Sequence, residues 1–465
     1  MTILLSDKPV KYPDLFDSRV EGFYYVYNPI SSKGVIILNS ETEYIFNLID
    51  NERTVSDILK LALKIDPSVT STDIKKIIDS LINSQLIYLN FEKYRLKTVE
   101  DRDSVSDPKL LRVWIHLSNQ CNLRCIYCFV HKSAEKMDLV MAKKGIKKMV
   151  ADAKKGGYEE IVCTFGGGEP LQEVEGMMEL IKVGRVEAKK NKILLRFGIV
   201  SNATLITDKV AAILKKEDIF TAVSMDGVGE FHDRQRPFVG GGPSFKAVRR
   251  GIDALKKADL RFNTTAVITN KNISHLPALT RYFLENDIPF IYALYKENPN
   301  SLEDMTASDD QLIKYFRLAF AEIYKNPPKY SLLGGLLDLI ILNAPHLHPC
   351  RSGRHYLVLR HDGKIAFCPV KIDNPTGTLL SKGPMPAKIR NGSILTPKDR
   401  SVNDITICSK CVWRYACCGG CPLITKIYKG TYNSNSPLCH VFRSLIPDLL
   451  RIEAKRLITQ AGLVN

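Results

Sequence analysis

Cys121-Asn-Leu-Arg-Cys125-Ile-Tyr-Cys128 is the stretch from which the rest of the 465-residue chain can be read. It comes directly after residues 112–117, a run with the character of a β-strand. Three thiolates on one short loop can hold three irons of a 4Fe–4S cluster. The fourth iron then has no protein ligand and can bind a small molecule, which separates this arrangement from a four-cysteine electron carrier. A zinc site or scattered structural thiols are the alternatives. Zinc wants a fourth close ligand, and His116 and His131 are the only histidines nearby.

Outward from that loop, strands and helices alternate, the mark of a parallel α/β sheet. Strands are predicted at 112–117, 160–165, 193–200, 220–225, 262–269 and 290–295, with amphipathic helices between them, for example 142–154 and Phe245–Lys257. Six such units imply an open, partial barrel. Residues 307–344 read as helical. Their apolar part, 331–344, is shorter than the roughly 20 residues a membrane span needs, so a buried helix is expected there.

Further motifs sit at the ends of the predicted strands, where barrels gather functional residues. Phe165-Gly-Gly167-Gly168-Glu169-Pro170 ends the second strand and Val200-Ser201-Asn202-Ala-Thr204 the third. Ser224-Met-Asp226-Gly227 ends the fourth, and His232-Asp-Arg-Gln-Arg236 follows it. Glycines let the backbone approach a ligand closely. Taken singly, each motif could be a turn, a cap or a surface ion pair. In this order, after C-x3-C-x-aromatic-C, they resemble the radical S-adenosylmethionine (SAM) superfamily. The resemblance implies a cluster on Cys121, Cys125 and Cys128 whose open iron chelates SAM and cleaves it to a 5′-deoxyadenosyl radical. It also implies SAM contacts at Tyr127 (adenine), Gly167, Gly168 and Glu169 (the methionine ammonium), Ser201 and Asn202, Ser224 (ribose) and Arg236 (carboxylate). Ala203 stands where the family's T-N-G-T segment has glycine.

Ten of the twelve cysteines fall into spaced groups, Cys163 and Cys418 standing apart. Downstream the pattern is C-x12-G-x4-C from Cys350 through Gly363 to Cys368. After a gap it becomes C-x2-C-x5-C-x3-C-x17-C through Cys408, Cys411, Cys417, Cys421 and Cys439. This array resembles the SPASM domain of peptide-modifying radical SAM enzymes; a zinc ribbon is the generic alternative. The resemblance implies one auxiliary cluster on Cys350, Cys368 and Cys421, and a second on Cys408, Cys411, Cys417 and Cys439. Three 4Fe–4S clusters and SAM are thus the expected cofactors. The family commonly has a further cysteine upstream of Cys350, absent here, so that cluster is expected to have an open iron or a histidine ligand, His346 or His348 being close. Cys418 reads as packing rather than a ligand, and Cys163 as a small buried hydrophobe.

The first hundred residues read as a small α+β unit of winged-helix shape. Strands are expected at 22–28, 34–39 and 86–89. The helices are 41–50, one opened by the capping box Thr54-Val-Ser-Asp57, and one from Ser71 with Ile74, Ile77, Ile78, Leu81 and Ile82 on one face. DNA reading by such a unit wants basic residues. The net charge is +16 overall, but residues 1–100 hold 12 Lys and Arg against 14 Asp and Glu, or −2, leaving +18 for the remainder. The layout instead resembles the RiPP recognition element, which takes a precursor's leader peptide as an added strand.

The expected divisions are 1–97, leader recognition; 108–306, the barrel; 307–345, a helical bridge; 346–440, the SPASM region; and 441–465, a C-terminal helix. Polar residues 97–108 form the linker. The chain has no signal-like N-terminus, so a cytoplasmic enzyme is expected, with neither nucleic acid nor membrane as partner. The reading is an oxidoreductase that binds a ribosomal precursor peptide and forms a thioether or carbon–carbon cross-link. Its electron donor would be of flavodoxin or ferredoxin type. One alternative is an anaerobic sulfatase maturase making formylglycine, whose usual Asp after the cysteine matched by Cys368 is here Pro369. Another is an iron–sulfur winged-helix DNA-binding regulator.

Overall fold

The computed structural model describes residues 2–90, 109–301, 303–352, 355–380, 382 and 400–464. The linker expected at 97–108 lies outside them. The N-terminal unit runs β1 (Pro9–Lys11), β2 (Phe16–Val20), β3 (Phe23–Tyr27), β4 (Val35–Leu38), α1 (Ser40–Leu48), α2 (Val55–Ala62), α3 (Ser71–Asn83) and β5 (Ile87–Leu89). Strands β2, β3 and β4 form an antiparallel sheet, and β1 pairs with β5. Strand β2 is not foreseen in the sequence, because its middle residues Asp17, Ser18 and Arg19 are exposed and polar. Helices α2 and α3 both open with full capping boxes, Thr54 with Asp57 and Thr70 with Asp73.

The period-2 alternation of strands puts this small sheet between two cores. Val26 and Leu38 join the unit's own core with Ile58, Ile74 and Ile78. Tyr25, Tyr27 and Val35 join the main core, and the Tyr27 hydroxyl donates to the Leu342 carbonyl at 2.9 Å.

Six parallel strands follow: β6 (Leu110–Ser118), β7 (Glu160–Gly167), β8 (Leu194–Ser201), β9 (Ile219–Ser224), β10 (Phe262–Ile268) and β11 (Phe290–Leu294). Helices α4 (Leu139–Lys155), α5 (Val174–Asn191), α6 (Asp208–Lys216), α7 (Phe245–Lys257) and α8 (Leu276–Glu285) separate them. All six predicted strands are present. Neighbours in the sheet are neighbours in the chain, so every motif at a strand's carboxyl end faces one mouth. The sheet is open and extends beyond β6 through β12 (Tyr356–Leu359, parallel), β13 (Lys364–Ala366) and β14 (Gly377–Thr378). None of these three strands is among those predicted from the sequence.

Helix α9 (Asp309–Lys325) covers the first half of the helical stretch expected at 307–344, but 331–344 is not a helix. Gly335 at φ 112° and Asp338 at φ 47° break helical geometry. The backbone finds its partners outside the segment instead. Tyr292 N donates to Leu336 O, Asp338 N to Tyr292 O, and Ile341 N to Ala416 O. The apolar side chains Leu332, Leu333, Leu336, Leu337, Ile340 and Leu342 are buried, which a loop laid against β11 achieves as well as a helix would. After α10 (Pro422–Lys429), helix α11 (Cys439–Gln460) closes the chain, buried around most of its circumference. Among the described residues no helix is long and apolar enough to cross a membrane.

Candidate functional site

The Cys121–Cys128 loop leaves β6 and is held by backbone bonds to the segment after β9. Arg124 N donates to Pro237 O (2.8 Å), Ile126 N to Gln235 O (3.1 Å) and Val239 N to Asn122 O (3.0 Å). All three thiols are half-buried, and those of Cys121 and Cys128 lie close enough to act electrostatically on Cys125. Burial pushes the Cys125 thiol up to about 12, against the nearby Arg236 guanidinium, whose Nη1 sits 3.7 Å from its sulfur. Such thiols stay protonated until a metal displaces the proton.

Gly167 and Gly168 lie where β7 passes behind this loop. A Cβ on Gly168 would stand 1.6 Å from the Gln120 carbonyl oxygen, so only glycine lets the strands approach this closely. Glu169 comes next and is 1% exposed. Its Oε1 accepts from the Ser201 hydroxyl (2.8 Å) and Leu171 N (3.1 Å), its Oε2 from Asn202 N (2.8 Å). Burial raises its pKa to about 7 in spite of these three donors. Burial outweighs these donors and the charge of Lys132, so an ammonium group brought against the carboxylate would be favoured. The Asn202 amide reaches back to Asn122 Oδ1 (2.9 Å) and towards Cys121 Sγ (3.8 Å). Ala203, in the family's glycine position, takes φ 60°, the conformation glycine adopts most easily.

Ser224 ends β9 opposite Thr265, and two residues on is a side chain that sequence reasoning passed over. Asp226 is fully buried, and its Oδ2 accepts from Arg236 Nε (2.6 Å) and from the Tyr127 hydroxyl. Its Oδ1 accepts from Val267 N (2.8 Å) and Arg236 Nη2 (3.3 Å). The Arg236 guanidinium lies 5.3 Å over the Tyr127 ring. Asp226 thus joins the fourth strand, the cysteine loop and the arginine into one unit. The sequence signal was present, an acid in an otherwise apolar strand end, but nothing in its spacing named a partner.

Among the downstream cysteines, two sets lie close together. Cys350 and Cys421 both act on Cys368, whose thiol burial pushes up to about 12. Cys408, Cys411, Cys417 and Cys439 line one small cavity with Trp413 and Phe442. There burial raises Cys417 to about 12 and Cys408 to about 11. Among the described residues no three His, Cys, Asp or Glu side chains converge on a single metal ion. A 4Fe–4S cluster asks for a wider set, because each thiolate binds a different iron. Cys418 packs with Leu347, Val402 and Ile405 and donates to the His346 carbonyl at 2.9 Å. Cys163 is fully buried in β7. His348 Nδ1 lies 2.9 Å from the Arg400 carbonyl oxygen.

A second feature missed in the sequence is the ion pair Lys296–Asp338, at 2.8 Å just beyond β11. Cys421 and Cys368 both act on this lysine, so it stands between the barrel mouth and the Cys350/Cys368/Cys421 group.

Comparison with known proteins agrees with this architecture. Residues 115–283 match the model of the Radical SAM superfamily. Over 239 residues, 48% of the chain, the sequence is 28% identical to the cysteine-type anaerobic sulfatase-maturating enzyme of Clostridium perfringens strain 13. The chain covers 57% and 64% of the lengths of two curated relatives that it matches. In fold it resembles native anSMEcpe with bound AdoMet and Cp18Cys peptide (TM-score 0.60, 21% identity), which covers 77% of this chain and 100% of that one. It also resembles Streptococcus suis SuiB bound to precursor peptide SuiA (TM-score 0.52, 16% identity), over 93% of this chain and 99% of that one. Residues 115–283 therefore belong to the radical SAM superfamily. Over most of its length the chain has the fold of these SPASM-type structures, with a cysteine-rich C-terminal region.

Proposed function

We propose that the chain is a radical SAM maturase that binds the leader of a ribosomal precursor peptide at its N-terminal unit and oxidatively cross-links a core residue. The observation that carries this reading is the N-terminal sheet itself. Strand β4 has β3 on one side and no strand on the other among the described residues, an edge suited to strand addition. Next to it α1 and α3 border a groove of about 710 Å³, lined by Tyr44, Ile45, Ile65, Val69 and Ile77, which would take apolar leader side chains. The likeness to SuiB supports the reading, because it extends over 93% of the chain where that to anSMEcpe extends over 77%.

In this reading SAM is held by Tyr127, Gly167, Gly168, Glu169, Ser201, Asn202, Ser224 and Arg236. The clusters are held by Cys121, Cys125 and Cys128, by Cys350, Cys368 and Cys421, and by Cys408, Cys411, Cys417 and Cys439. The bound cluster and SAM supply a carbon radical able to remove a hydrogen atom from an unactivated side chain. The protein's part is placement. Glu169 offers a buried carboxylate to the ammonium group, and Asp226 fixes the Arg236 fork beside Cys125. Lys296 and Asp338 put a charged pair where the mouth meets the auxiliary group. A flavodoxin- or ferredoxin-type donor would supply the electrons.

A second reading, sulfatase-type formylglycine formation, is favoured by the sequence relatives. Against it, Pro369 stands where that family has its Asp, opening a 3-10 turn. Anaerobically reconstituted protein, given SAM, dithionite and the precursor encoded nearest its gene, separates the two. A peptide lighter by two hydrogens, absent with Cys125→Ala, is expected. An aldehyde trapped by a hydrazine on a cysteine-containing sulfatase peptide would favour the second reading instead. No 5′-deoxyadenosine from fully iron-loaded protein would dismiss both.

A further inference from the structure

Arg400 is 3% exposed. Its guanidinium donates to three carbonyls: Gly420 (3.1 Å, from Nη1), Gly419 (3.0 Å) and Ser434 (2.7 Å, both from Nη2). Carbonyl oxygens satisfy donors but bring no charge, and Nε has no partner among the described residues. A buried cation without an anion is costly, and proteins retain one where an anion comes to it. Burial works against this charge, and the sulfurs of Cys408, Cys418, Cys421 and Cys350 lie close enough to offset it once they are ionised. Cys408 belongs to one downstream group, Cys350 and Cys421 to the other.

The backbone is shaped around the same guanidinium. Between Cys417, of one group, and Cys421, of the other, Gly419 and Gly420 take φ +73° and +70°. A Cβ on Gly419 would lie 2.5 Å from Arg400 Nη2, so glycine there makes room for the cation. Lys296, a half-buried cation near Cys421, has Asp338 at 2.8 Å and is balanced within the protein. Arg400 is not.

We propose that Arg400 is the shared counter-cation of two auxiliary clusters, a positioning residue that sets both their reduction potentials. The inference rests on the reading above, in which both groups hold 4Fe–4S clusters. Thiolate-ligated clusters are anionic and become more so on reduction, so a fixed cation beside them favours the reduced state. One charge placed between two clusters shifts both in the same direction.

The test is an EPR-monitored redox titration of the full chain, anaerobically reconstituted, with iron counted in every sample. In Arg400→Gln both auxiliary signals should move to lower potential, the reduced-to-oxidised ratio at a fixed potential falling about tenfold, or about 59 mV for a one-electron couple. The signal of the first cluster should not move, and Arg400→Lys should lie close to wild type. Gly419→Ala, which displaces the guanidinium without removing its charge, should shift the same two signals by less, and it serves as the test if Arg400→Gln does not fold. Unmoved auxiliary signals at full iron in either variant would overturn the proposal, as would a shift confined to one cluster. A wild-type chain that holds only about four irons would overturn the cluster reading itself, a distinct result.

Discussion

The barrel mouth and the C-terminal cysteine region both bring thiols together, but by different means. At the mouth the work is done by secondary structure. Strand ends present the loops, backbone bonds pin the cysteine loop to residues 235–239, and the buried Arg236 is balanced by the buried Asp226. In the C-terminal region, most of the cysteines stand on single helical turns and loops, with Cys439 at the start of α11, and among the described residues the buried Arg400 faces carbonyls and thiols rather than an acid. The first site is preformed by the fold. The second is formed around a charge that its own contents must balance. A region that closes its hydrogen bonds and charges internally can stand without its cofactor, whereas one that leaves a cation open depends on it.

The sharpest test of this contrast is Gly168→Ala. The added Cβ falls 1.6 Å from Gln120 O and 2.4 Å from Gln120 C, so the loop bearing Cys121 must move away from β7. Iron should drop by about four per chain, and 5′-deoxyadenosine formation by about a hundredfold or more, as displacements near 1 Å cost at reacting centres. The auxiliary EPR signals should persist. Their loss together with the first cluster would mean that the two regions are not independent.

Next in size is Asp226→Asn, which leaves the Arg236 guanidinium buried and unpaired. Removing one partner of a buried pair costs about 3–5 kcal/mol, read as a lower denaturation midpoint of the iron-free chain in urea. A loss below about 1 kcal/mol would show that the mouth is not held by its internal charge balance.

The same contrast decides what could be read from the chain. The six barrel strands were legible because each is a run of β-branched and apolar residues at regular intervals, and the motifs at their ends carry glycines whose need is local. Cys121 to Cys128 and the downstream array were legible as spacing alone. What the sequence hid was non-local. Asp226 and Arg236 are ten residues apart and meet only because a helical turn intervenes. Arg400 is matched to Gly419 and Gly420 across a loop. The apolar run 331–344 has side chains that suit a buried helix, and only its outside backbone partners, Tyr292 and Ala416, make it a loop. Strands β12 to β14 are short, and it is β6 that recruits β12 to the sheet.

Glu169 gives a prediction of intermediate size. Its folded pKa, raised to about 7 from 4.5, means that the folded chain keeps a proton the unfolded chain has released between those values. Stability from this group therefore falls as pH rises from about 4.5 to about 7, by about 3 kcal/mol at 1.36 kcal/mol per unit. Urea denaturation of the iron-free protein at pH 5 and pH 8 should show that slope, and Glu169→Gln should flatten it. Added SAM should also reduce it, because its ammonium would balance the carboxylate. An unchanged slope in Glu169→Gln would assign the pH dependence to other groups and weaken the case for a cation site.

The smallest effect is expected far from both cysteine regions. The Thr70 hydroxyl caps α3 by accepting from Asp73 N at 3.3 Å, while Asp73 Oδ2 accepts from Thr70 N at 3.1 Å. Thr70→Ala removes one half of that exchange and should cost about 1 kcal/mol, with iron content and potentials untouched. Its use lies in where the cost appears. Ile74 and Ile78 on α3 pack only in the N-terminal unit's own core, yet Tyr25 and Tyr27 of the same small sheet pack in the main one. If the unit unfolds with the barrel, thermal denaturation of Thr70→Ala shifts one transition. If it unfolds alone, an early transition moves and the main one stays, and the N-terminal sheet is then a separately melting platform docked on α11 and the 331–344 loop.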